Sequence, residues 1–372
     1  MFNLQSRPLL WRAGRGAAVL ALVALTGYGI GQSQSPEAVV AAAPTVTSSP
    51  PDAAVPAISY AGIVNSAAPA VVTVRVDKRA AIVPTQMPDD PLLREFFGRR
   101  FQFPQAPRAP RQSGLGSGVI TSADGYILTN NHVIDGAERV RVELTDRRAF
   151  DAEVVGTDPA SDLALLKIDA NNLPTLPIGD SNRASVGDVV LAIGNPLGVG
   201  QTVTMGIIGA RGRATGVGDG SYEDFLQTDA PINQGNSGGA LVNLKGELIG
   251  VNSQILTPTG GNIGLGFAIP SNMAKNVMEQ LKTEGRVSRG KLGVTVQNVT
   301  ADIAASLGLN DVSGALVSSV EAGSAAERAG LRRGDVVTML NGEKLADSNA
   351  LRNRIAGTKP GSDVSLEVLR NG

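Results

Sequence analysis

The chain has no cysteine among its 372 residues and contains only one histidine. The absence of cysteine excludes disulfides, thiolate zinc sites and a cysteine nucleophile, and one histidine cannot supply the usual spacing of a zinc site. We therefore expect neither a metal nor a cofactor. The charges nearly cancel, with 33 lysines and arginines against 34 aspartates and glutamates. The composition thus gives no argument for nucleic-acid binding.

Aromatic residues are also scarce, at 3%, whereas glycine is abundant, with 45 residues. That composition favours many short strands and tight turns over long helices. From residue 114 onwards, short apolar segments recur at intervals of about ten residues. Two of them, "SGVITS" and "GYILTN", flank "ADG" and predict a hairpin. The spacing predicts a mostly β fold, a sandwich or a pair of barrels, rather than a doubly wound α/β sheet.

The N-terminal segment has the pattern of export and linker sequence. Three arginines precede the apolar run "AAVLALVALTGYGIG", which is shorter than the ~20 residues that a spanning helix needs. We interpret residues 1–31 as a signal peptide, or alternatively as a short membrane anchor. Residues 32–57 are rich in alanine, proline, serine and threonine and predict a disordered linker. In both cases the rest of the chain is expected outside the cytoplasm.

Residues 80–113 form an irregular insert that is too long for an ordinary connection. It holds half of the chain's eight phenylalanines, namely Phe96, Phe97, Phe101 and Phe103. Exposed rings need a cover, so we expect a partner subunit or a lid over them. A loop folded back on its own domain is the alternative.

The first clear helical pattern is "SNMAKNVMEQLKTEG". Ser271 can cap this helix, Gly285 can end it, and its apolar face consists of Met273, Val277, Met278 and Leu281. We place a domain boundary after it, giving domains at 58–285 and 286–372. The second domain alternates short strands and helices, which predicts a small α+β module. The sequence stops at "RNG", a hairpin turn without a second strand. We therefore expect this module to lack its last strand.

Three stretches carry candidate chemistry: "TNNHVI" with His132, "SDLALLKI" with Asp162, and "GNSGG" with Ser237. A serine hydroxyl needs a base within hydrogen-bonding reach and a third group that orients this base. Histidine is the usual base, and a carboxylate on its other ring nitrogen fixes the tautomer. Glycines around the serine allow a sharp turn, so the amides of Gly235 and Ser237 are the obvious oxyanion donors.

The chain order decides between the known arrangements of such residues. "GNSGG" fits the nucleophile elbow of α/β-hydrolases, but those enzymes place histidine after serine, and no histidine follows residue 132. The subtilisin order needs an aspartate before the histidine. Those available lie in the linker, the insert, a strand end or a turn: Asp52, Asp77, Asp89, Asp90 and Asp124. The chymotrypsin order of histidine, aspartate and serine fits.

Asp162 is preferred because it directly precedes the apolar run "LALL", where a carboxylate is costly without a partner. Asp158, in "TDPAS", instead predicts a turn. Other aspartates in the region are Asp151, Asp169, Asp180 and Asp188. Taken singly, each candidate has another interpretation: a capping or turn role for Asp162, a solvated loop histidine, and a glycine–serine linker. Their joint occurrence in one admissible order favours a catalytic triad.

"TNNHVI", "SDLALLKI" and "TDAPINQGNSGGALVNLKGELIGVN" closely resemble the HtrA/Deg serine proteases of the bacterial envelope, from residue 58 to the end of the chain. The resemblance implies a chymotrypsin-like double β-barrel followed by an α+β PDZ domain. It implies a triad of His132, Asp162 and Ser237. The resemblance further implies the following site residues: oxyanion amides at Gly235, Asn236 and Ser237, an S1 pocket with Ile232 and Leu256, and a regulatory arginine at Arg213.

The aliphatic S1 residues imply cleavage after small aliphatic side chains, and the insert at 80–113 matches the family's regulatory loop. The stretch "RGKLGV" resembles the carboxylate-binding loop of a PDZ domain. Its residues Lys291, Leu292, Gly293 and Val294 would bind the C-termini of peptides. The family further implies a periplasmic protease, a homotrimer or a higher multiple of a trimer, that digests misfolded proteins without ATP and often acts as a chaperone. Two alternatives stay open: a membrane-anchored stress-sensor protease with one specific substrate, and mainly a chaperone or peptide-binding protein.

Overall fold

The computed structural model describes residues 59–78, 112–195, 200–216, 222–255, 262–309 and 311–372. The expected signal or anchor segment 1–31, the linker 32–57 and nearly all of the insert 80–113 lie outside these residues. In the part of the chain that is described, no helix combines the length and the apolar character needed to cross a membrane.

The first six strands close into a barrel in the order β1-β2-β3-β6-β5-β4. The predicted hairpin is confirmed, because Val119 of β2 pairs with Leu128 of β3 across the "ADG" turn. A short helix α1, Ala61–Ala67, precedes the barrel, and a single helical turn α2, Asn131–Ile134, follows β3. The strands are β1 Val71–Lys78, β2 Gln112–Ile120, β3 Tyr126–Thr129, β4 Ala137–Glu143, β5 Ala149–Asp158 and β6 Leu163–Ile168.

The next six strands close into a second barrel in the order β10-β11-β12-β9-β8-β7. Its interior is filled by aliphatic side chains, among them Ile208, Leu226, Leu241 and Ile249. The strands are β7 Val189–Gly194, β8 Thr202–Arg213, β9 Phe225–Thr228, β10 Ala240–Val242, β11 Leu248–Ile255 and β12 Gly266–Pro270. The prediction of a mostly β fold built on two barrels is confirmed.

The continuous apolar run of β6 follows from burial on both of its faces. Alternate side chains of a strand point to opposite faces. Ala164, Leu166 and Ile168 point into the first barrel. Leu163 and Leu165 instead join a cluster with β11 and β12, between the two barrels. A strand buried on both sides shows no alternation of polar and apolar residues, which explains "LALL".

Helix α3, Ser271–Glu284, packs across the seam between the barrels. The predicted face is observed, since Val277 and Leu281 are buried there and Met273 and Met278 pack against them. The expected cap is wrong: Pro270 occupies the N-cap, and the buried Ser271 hydroxyl donates to the Gly179 carbonyl at 2.6 Å. The helix ends at Gly285, as predicted.

The described residues of the C-terminal module form a five-stranded sheet and three short helices, so the prediction of an α+β module is confirmed. Its strands run in the order β13-β14-β15-β16, and β17 pairs with β15. The strands are β13 Val294–Asn298, β14 Ala315–Val320, β15 Val336–Leu340, β16 Glu343–Lys344 and β17 Leu366–Leu369. The helices are α4 Ala301–Leu307, α5 Ala325–Arg328 and α6 Ser348–Ala356.

Candidate active site

His132 and Asp162 lie beside the ends of two paired strands. Asn131 begins α2 shortly after β3, and Asp162 directly precedes β6. The two strands are antiparallel neighbours, with Thr129 opposite Ala164, so both residues come to the same edge of the first barrel. Nδ1 of His132 lies 2.8 Å from Oδ2 and 3.0 Å from Oδ1 of Asp162. The structure thus brings these two candidate residues into hydrogen-bonding contact.

Asp162 is fixed by both its backbone and its side chain. Its φ of 55° lies in the left-handed region, which aspartate tolerates better than most residues. Its carbonyl accepts from Nδ2 of Asn130 at 2.9 Å and from the amide of Asn131 at 3.1 Å. Its carboxylate accepts from the amide of His132 at 3.0 Å and from the hydroxyl of Ser253 at 2.9 Å. The carboxylate is therefore aimed at the imidazole by several independent contacts.

Ser237 lies on the loop between β9 and β10 of the second barrel. Its hydroxyl donates to the carbonyl of Ser253 at 2.8 Å. Within the described residues, no hydrogen bond joins this hydroxyl to His132. Ser253, which is 2% exposed, therefore contacts Asp162 through its hydroxyl and Ser237 through its carbonyl. In this conformation Ser237 is linked to Asp162 through Ser253, and its hydroxyl is hydrogen-bonded to the Ser253 carbonyl.

The predicted oxyanion donors lie in the loop that contains Ser237. The amide of Asn236 donates to the carbonyl of Asn233 at 2.9 Å. Because this amide is engaged within the loop, it is not directed at a bound substrate in this conformation. The prediction of oxyanion donors therefore depends on the amides of Gly235 and Ser237.

Gly238 shows how closely this loop lies against the first barrel. Its φ of +84° falls in the region that favours glycine. A Cβ there would collide with the carbonyl oxygen of Ser117 and with Oγ1 of Thr129, both fully buried residues. The amide of Gly238 donates to the carbonyl of Asn252 at 2.8 Å. Only a residue without a side chain fits this contact between the barrels.

The S1 prediction concerns one described residue and one that is not. Ile232 is 2% exposed and packs in the interior of the second barrel. Its carbonyl accepts from Nδ2 of Asn262 at 3.1 Å, and a Cβ on Gly266 would lie 3.0 Å from its Cδ1. Leu256 lies outside the described residues. The S1 pocket stays a prediction.

Arg213, the predicted regulatory arginine, is the exposed last residue of β8 and pairs with Phe225 of β9. The segment that follows Arg213 is hydrogen-bonded to the segment that returns to β9. The amides of Thr215 and Gly216 donate to the carboxylate of Glu223 at 2.5 and 3.0 Å. Residues 217–221, in the middle of this loop, lie outside the described part. The structure thus defines both ends of the loop that carries Arg213.

The four predicted peptide-binding residues line a groove of about 570 Å³ beside β13 and α6: Lys291, Leu292, Gly293 and Val294. Gly293 has a φ of +80°, and a Cβ there would collide with Ser324, so a side chain cannot be accommodated. Tyr222, from the segment before β9, also lines this groove. A ligand in the groove would therefore meet both the module and the barrel domain.

Asp158 has a role that the sequence did not reveal. The predicted turn is present, with the amide of Ser161 donating to the Asp158 carbonyl at 3.3 Å. The carboxylate, however, forms an ion pair with Arg289 of the C-terminal module, whose Nη1 lies 2.9 Å from Oδ1. The guanidinium also lies over the ring of Tyr222, at 4.6 Å from its centroid. A buried ion pair thus joins the barrel domain to the module.

Helix α6 makes a second contact between the two domains. Asn349 and Asn353 both donate from Nδ2 to the carbonyl of Glu223, at 2.8 and 2.6 Å. Beside them, burial raises the pKa of Asp224 above its usual value, although Arg211 and Arg354 oppose this effect. The helix that borders the groove is therefore hydrogen-bonded to the base of the loop that carries Arg213.

Known protein families match both parts of the chain. The trypsin-like peptidase domain matches residues 116–251, and the PDZ domain matches residues 290–372. A probable periplasmic serine endoprotease, DegP-like, from Pseudomonas putida is 47% identical over 324 residues, covering 84% of this chain and 68% of that protein. The periplasmic pH-dependent serine endoprotease DegQ of Escherichia coli is 48% identical over 319 residues, covering 85% and 69%.

Solved structures agree with these relatives. The structure of the HtrA-type protease AlgW with a tripeptide has a TM-score of 0.67 and 46% identity, covering 85% of this chain and 94% of that one. The trypsin-like double barrel followed by a PDZ domain is thus confirmed, and the chain is a serine endopeptidase of the periplasm. It belongs to the HtrA/Deg family of serine endoproteases.

Proposed function

We propose that the chain is an ATP-independent endoprotease that degrades misfolded or damaged envelope proteins through a triad of Ser237, His132 and Asp162. The observation that carries this proposal is the carboxylate of Asp162 at 2.8 Å from Nδ1 of His132, with Ser237 bound to the adjacent Ser253. A carboxylate on Nδ1 leaves Nε2 free to accept the serine proton.

The reaction then follows from the positions of these groups. Ser237 Oγ attacks the scissile carbonyl while His132 takes its proton, and Asp162 stabilises the imidazolium. The amides of Gly235 and Ser237 bind the developing oxyanion, each contributing roughly 3–4 kcal/mol to transition-state stabilisation. His132 returns the proton to the leaving amine, and water hydrolyses the acyl-enzyme with the histidine again as base. To adopt this geometry, the Ser237 hydroxyl leaves the Ser253 carbonyl for the imidazole.

The substrate preference is proposed from the residues near the nucleophile. The aliphatic side chain of Ile232, together with Leu256, would form an S1 pocket without a charge at its base. Such a pocket favours small aliphatic side chains, for example valine, before the cleaved bond. Mass-spectrometric mapping of the cuts in an unfolded protein tests this preference. Cuts mainly after lysine, arginine or aromatic residues would contradict it.

The PDZ groove is proposed to bind C-terminal peptides of substrates. The loop at 291–294 would hold the terminal carboxylate with its amides, while the peptide adds a strand beside β13. Regulation by such peptides is a second candidate activity, as in a stress-sensor protease. It is favoured because the Ser237 hydroxyl is hydrogen-bonded to the Ser253 carbonyl and because α6 is hydrogen-bonded to Glu223, at the base of the loop that carries Arg213. We further propose that the protein forms a homotrimer or a higher multiple of a trimer and has chaperone activity.

Ser237→Ala and His132→Ala test the triad. Both variants should lose nearly all cleavage of reduced casein, since the chain offers no second imidazole. Ser306→Ala is the matched control, because Ser306 is an exposed serine on α4 that bonds only within its own helix. Casein cleavage that survives Ser237→Ala would refute the assignment. Protection of casein from aggregation by the inactive variant would establish a separate chaperone activity.

A further inference from the structure

Ser117 of β2 is fully buried at the point where the first barrel meets the serine loop of the second. Its amide donates to the carbonyl of Ser237 at 2.8 Å. Its own carbonyl accepts from Oγ1 of Thr129 at 2.7 Å, which fixes the strand on which it lies. The backbone amide and the backbone carbonyl of Ser117 are thus both hydrogen-bonded at this contact between the barrels.

The side chain of Ser117 makes two further contacts. Its hydroxyl donates to the carbonyl of Gly235 at 2.7 Å and accepts from the amide of Asn195 at 2.9 Å. A serine hydroxyl has a single proton to donate, so its one donor is committed to Gly235. The hydroxyl therefore links the serine loop to the chain that follows β7.

These contacts bind the loop on both sides of Asn236. The carbonyls of Gly235 and Ser237 are each bonded to the same residue of a buried strand. Each proposed oxyanion amide belongs to the same residue, Gly235 or Ser237, as one of these carbonyls. The orientation of the two amides therefore depends on the hydrogen bonds that hold the carbonyls to Ser117. Preorganised donors act only if they are aimed before the charge develops.

We propose that Ser117 is a positioning residue for the cleavage reaction, holding the oxyanion loop through its hydroxyl. The proposal rests on the proposed function, since it assumes that Ser237 is the nucleophile. Ser117 contacts no substrate in this role and acts through Gly235. Its removal should therefore weaken the binding of the transition state more than the binding of the peptide substrate.

Ser117→Ala is compared with Ser271→Ala. Ser271 is an equally buried serine whose hydroxyl donates to a glycine carbonyl, that of Gly179, at 2.6 Å. Both variants lose a hydroxyl that donates to a glycine carbonyl, but Ser117→Ala also leaves the amide of Asn195 without its acceptor, so its melting temperature should fall further than that of Ser271→Ala. For a fluorogenic peptide with valine before the cleaved bond, Ser117→Ala should lower kcat roughly 10- to 100-fold. This decrease is at most about as large as the decrease in kcat when one oxyanion donor is removed. KM should change by less than about threefold.

Two further measurements separate positioning from folding. A peptide boronate, which forms a tetrahedral adduct with the serine, should lose affinity in Ser117→Ala by about the same factor as kcat/KM. Ser117→Cys keeps a weak donor and should give a kcat between those of the wild type and Ser117→Ala. If the alanine variant fails to fold, the kcat of Ser117→Cys should still lie below that of the wild type. Ser271→Ala should leave kcat and boronate affinity unchanged.

Equal kcat values for Ser117→Ala and Ser271→Ala would overturn the proposal, as would a loss confined to KM. If the alanine variant does not fold, a wild-type kcat in Ser117→Cys would overturn it. Ser237→Ala, assayed in parallel, tests the underlying function. Activity in that variant refutes the triad, whereas an inactive Ser237→Ala beside a fully active Ser117→Ala refutes only the positioning role.

Discussion

Gly238→Ala is expected to destabilise the protein through two effects whose sizes follow from the structure. The φ of +84° places an alanine in the left-handed region, which costs roughly 1–2 kcal/mol. The new Cβ would also collide with the carbonyl oxygen of Ser117 and with Oγ1 of Thr129, which are buried and hydrogen-bonded to each other. Overpacking of this kind costs typically about 1–3 kcal/mol. The expected loss of unfolding free energy is therefore about 2–5 kcal/mol.

Gly136→Ala separates the two effects. Gly136 has a similar φ of +68°, but a Cβ there would meet no atom within 4 Å. The control should therefore lose only the conformational contribution of roughly 1–2 kcal/mol. Urea unfolding followed by circular dichroism, with Ser237→Ala in every protein to prevent self-digestion, measures both losses.

Activity gives a second comparison. Gly238→Ala, with Ser237 intact, should lose most of its casein cleavage because the loop must move away from the first barrel. Gly136→Ala should retain casein cleavage. The reasoning is refuted if the two substitutions cost the same free energy within about 0.5 kcal/mol, the accuracy with which such values add.

Two ion pairs give further predictions. Arg289→Ala removes the charged partner of the Asp158 carboxylate, which is 6% exposed and keeps only the hydroxyl of Ser161 as a side-chain donor, and should cost roughly 3–5 kcal/mol in urea unfolding. Arg139→Ala, whose pair is more than half exposed, should cost little, and equal losses would contradict the reasoning. The hydrogen bond from Arg370 holds the pKa of Asp335 below its usual value. The stabilisation by this pair is therefore present above the unfolded-state pKa of ~3.9 and disappears as pH falls further. The melting temperatures of wild type and Arg370→Ala should thus differ by a constant amount at higher pH and converge only as pH falls below ~3.9, and a difference that stays constant at acidic pH would exclude this account.

The sequence predicted those elements whose signals are local. The hairpin at "ADG", the helix ending at Gly285 and the alternation of short strands and helices in the C-terminal module follow from turn residues and periodicity. Ser271 does not cap the helix, because its hydroxyl donates to the carbonyl of Gly179, which is distant in sequence. Local patterns cannot reveal such a competing partner.

The candidate site was predicted where chemistry restricts the choice of residue. A single histidine, and an aspartate before a buried strand, left few combinations. Ser253 and Asp158 were missed because their functions arise from contacts between separate elements. The polar pair "NS" in the buried strand "LIGVNSQI" was the available signal for Ser253, since polar groups in such a strand need partners. No comparable signal linked Asp158 to Arg289.

The division of the proposed triad between two barrels has a consequence for synthesis and export. His132 and Asp162 belong to the first barrel, whereas Ser237 and Ser253 belong to the second. A growing chain that has folded only its first barrel holds a base and a carboxylate but no nucleophile. The second barrel alone holds a serine with no imidazole to activate it. If these residues act as proposed, the chain gains its cleavage activity only after both barrels have folded and docked.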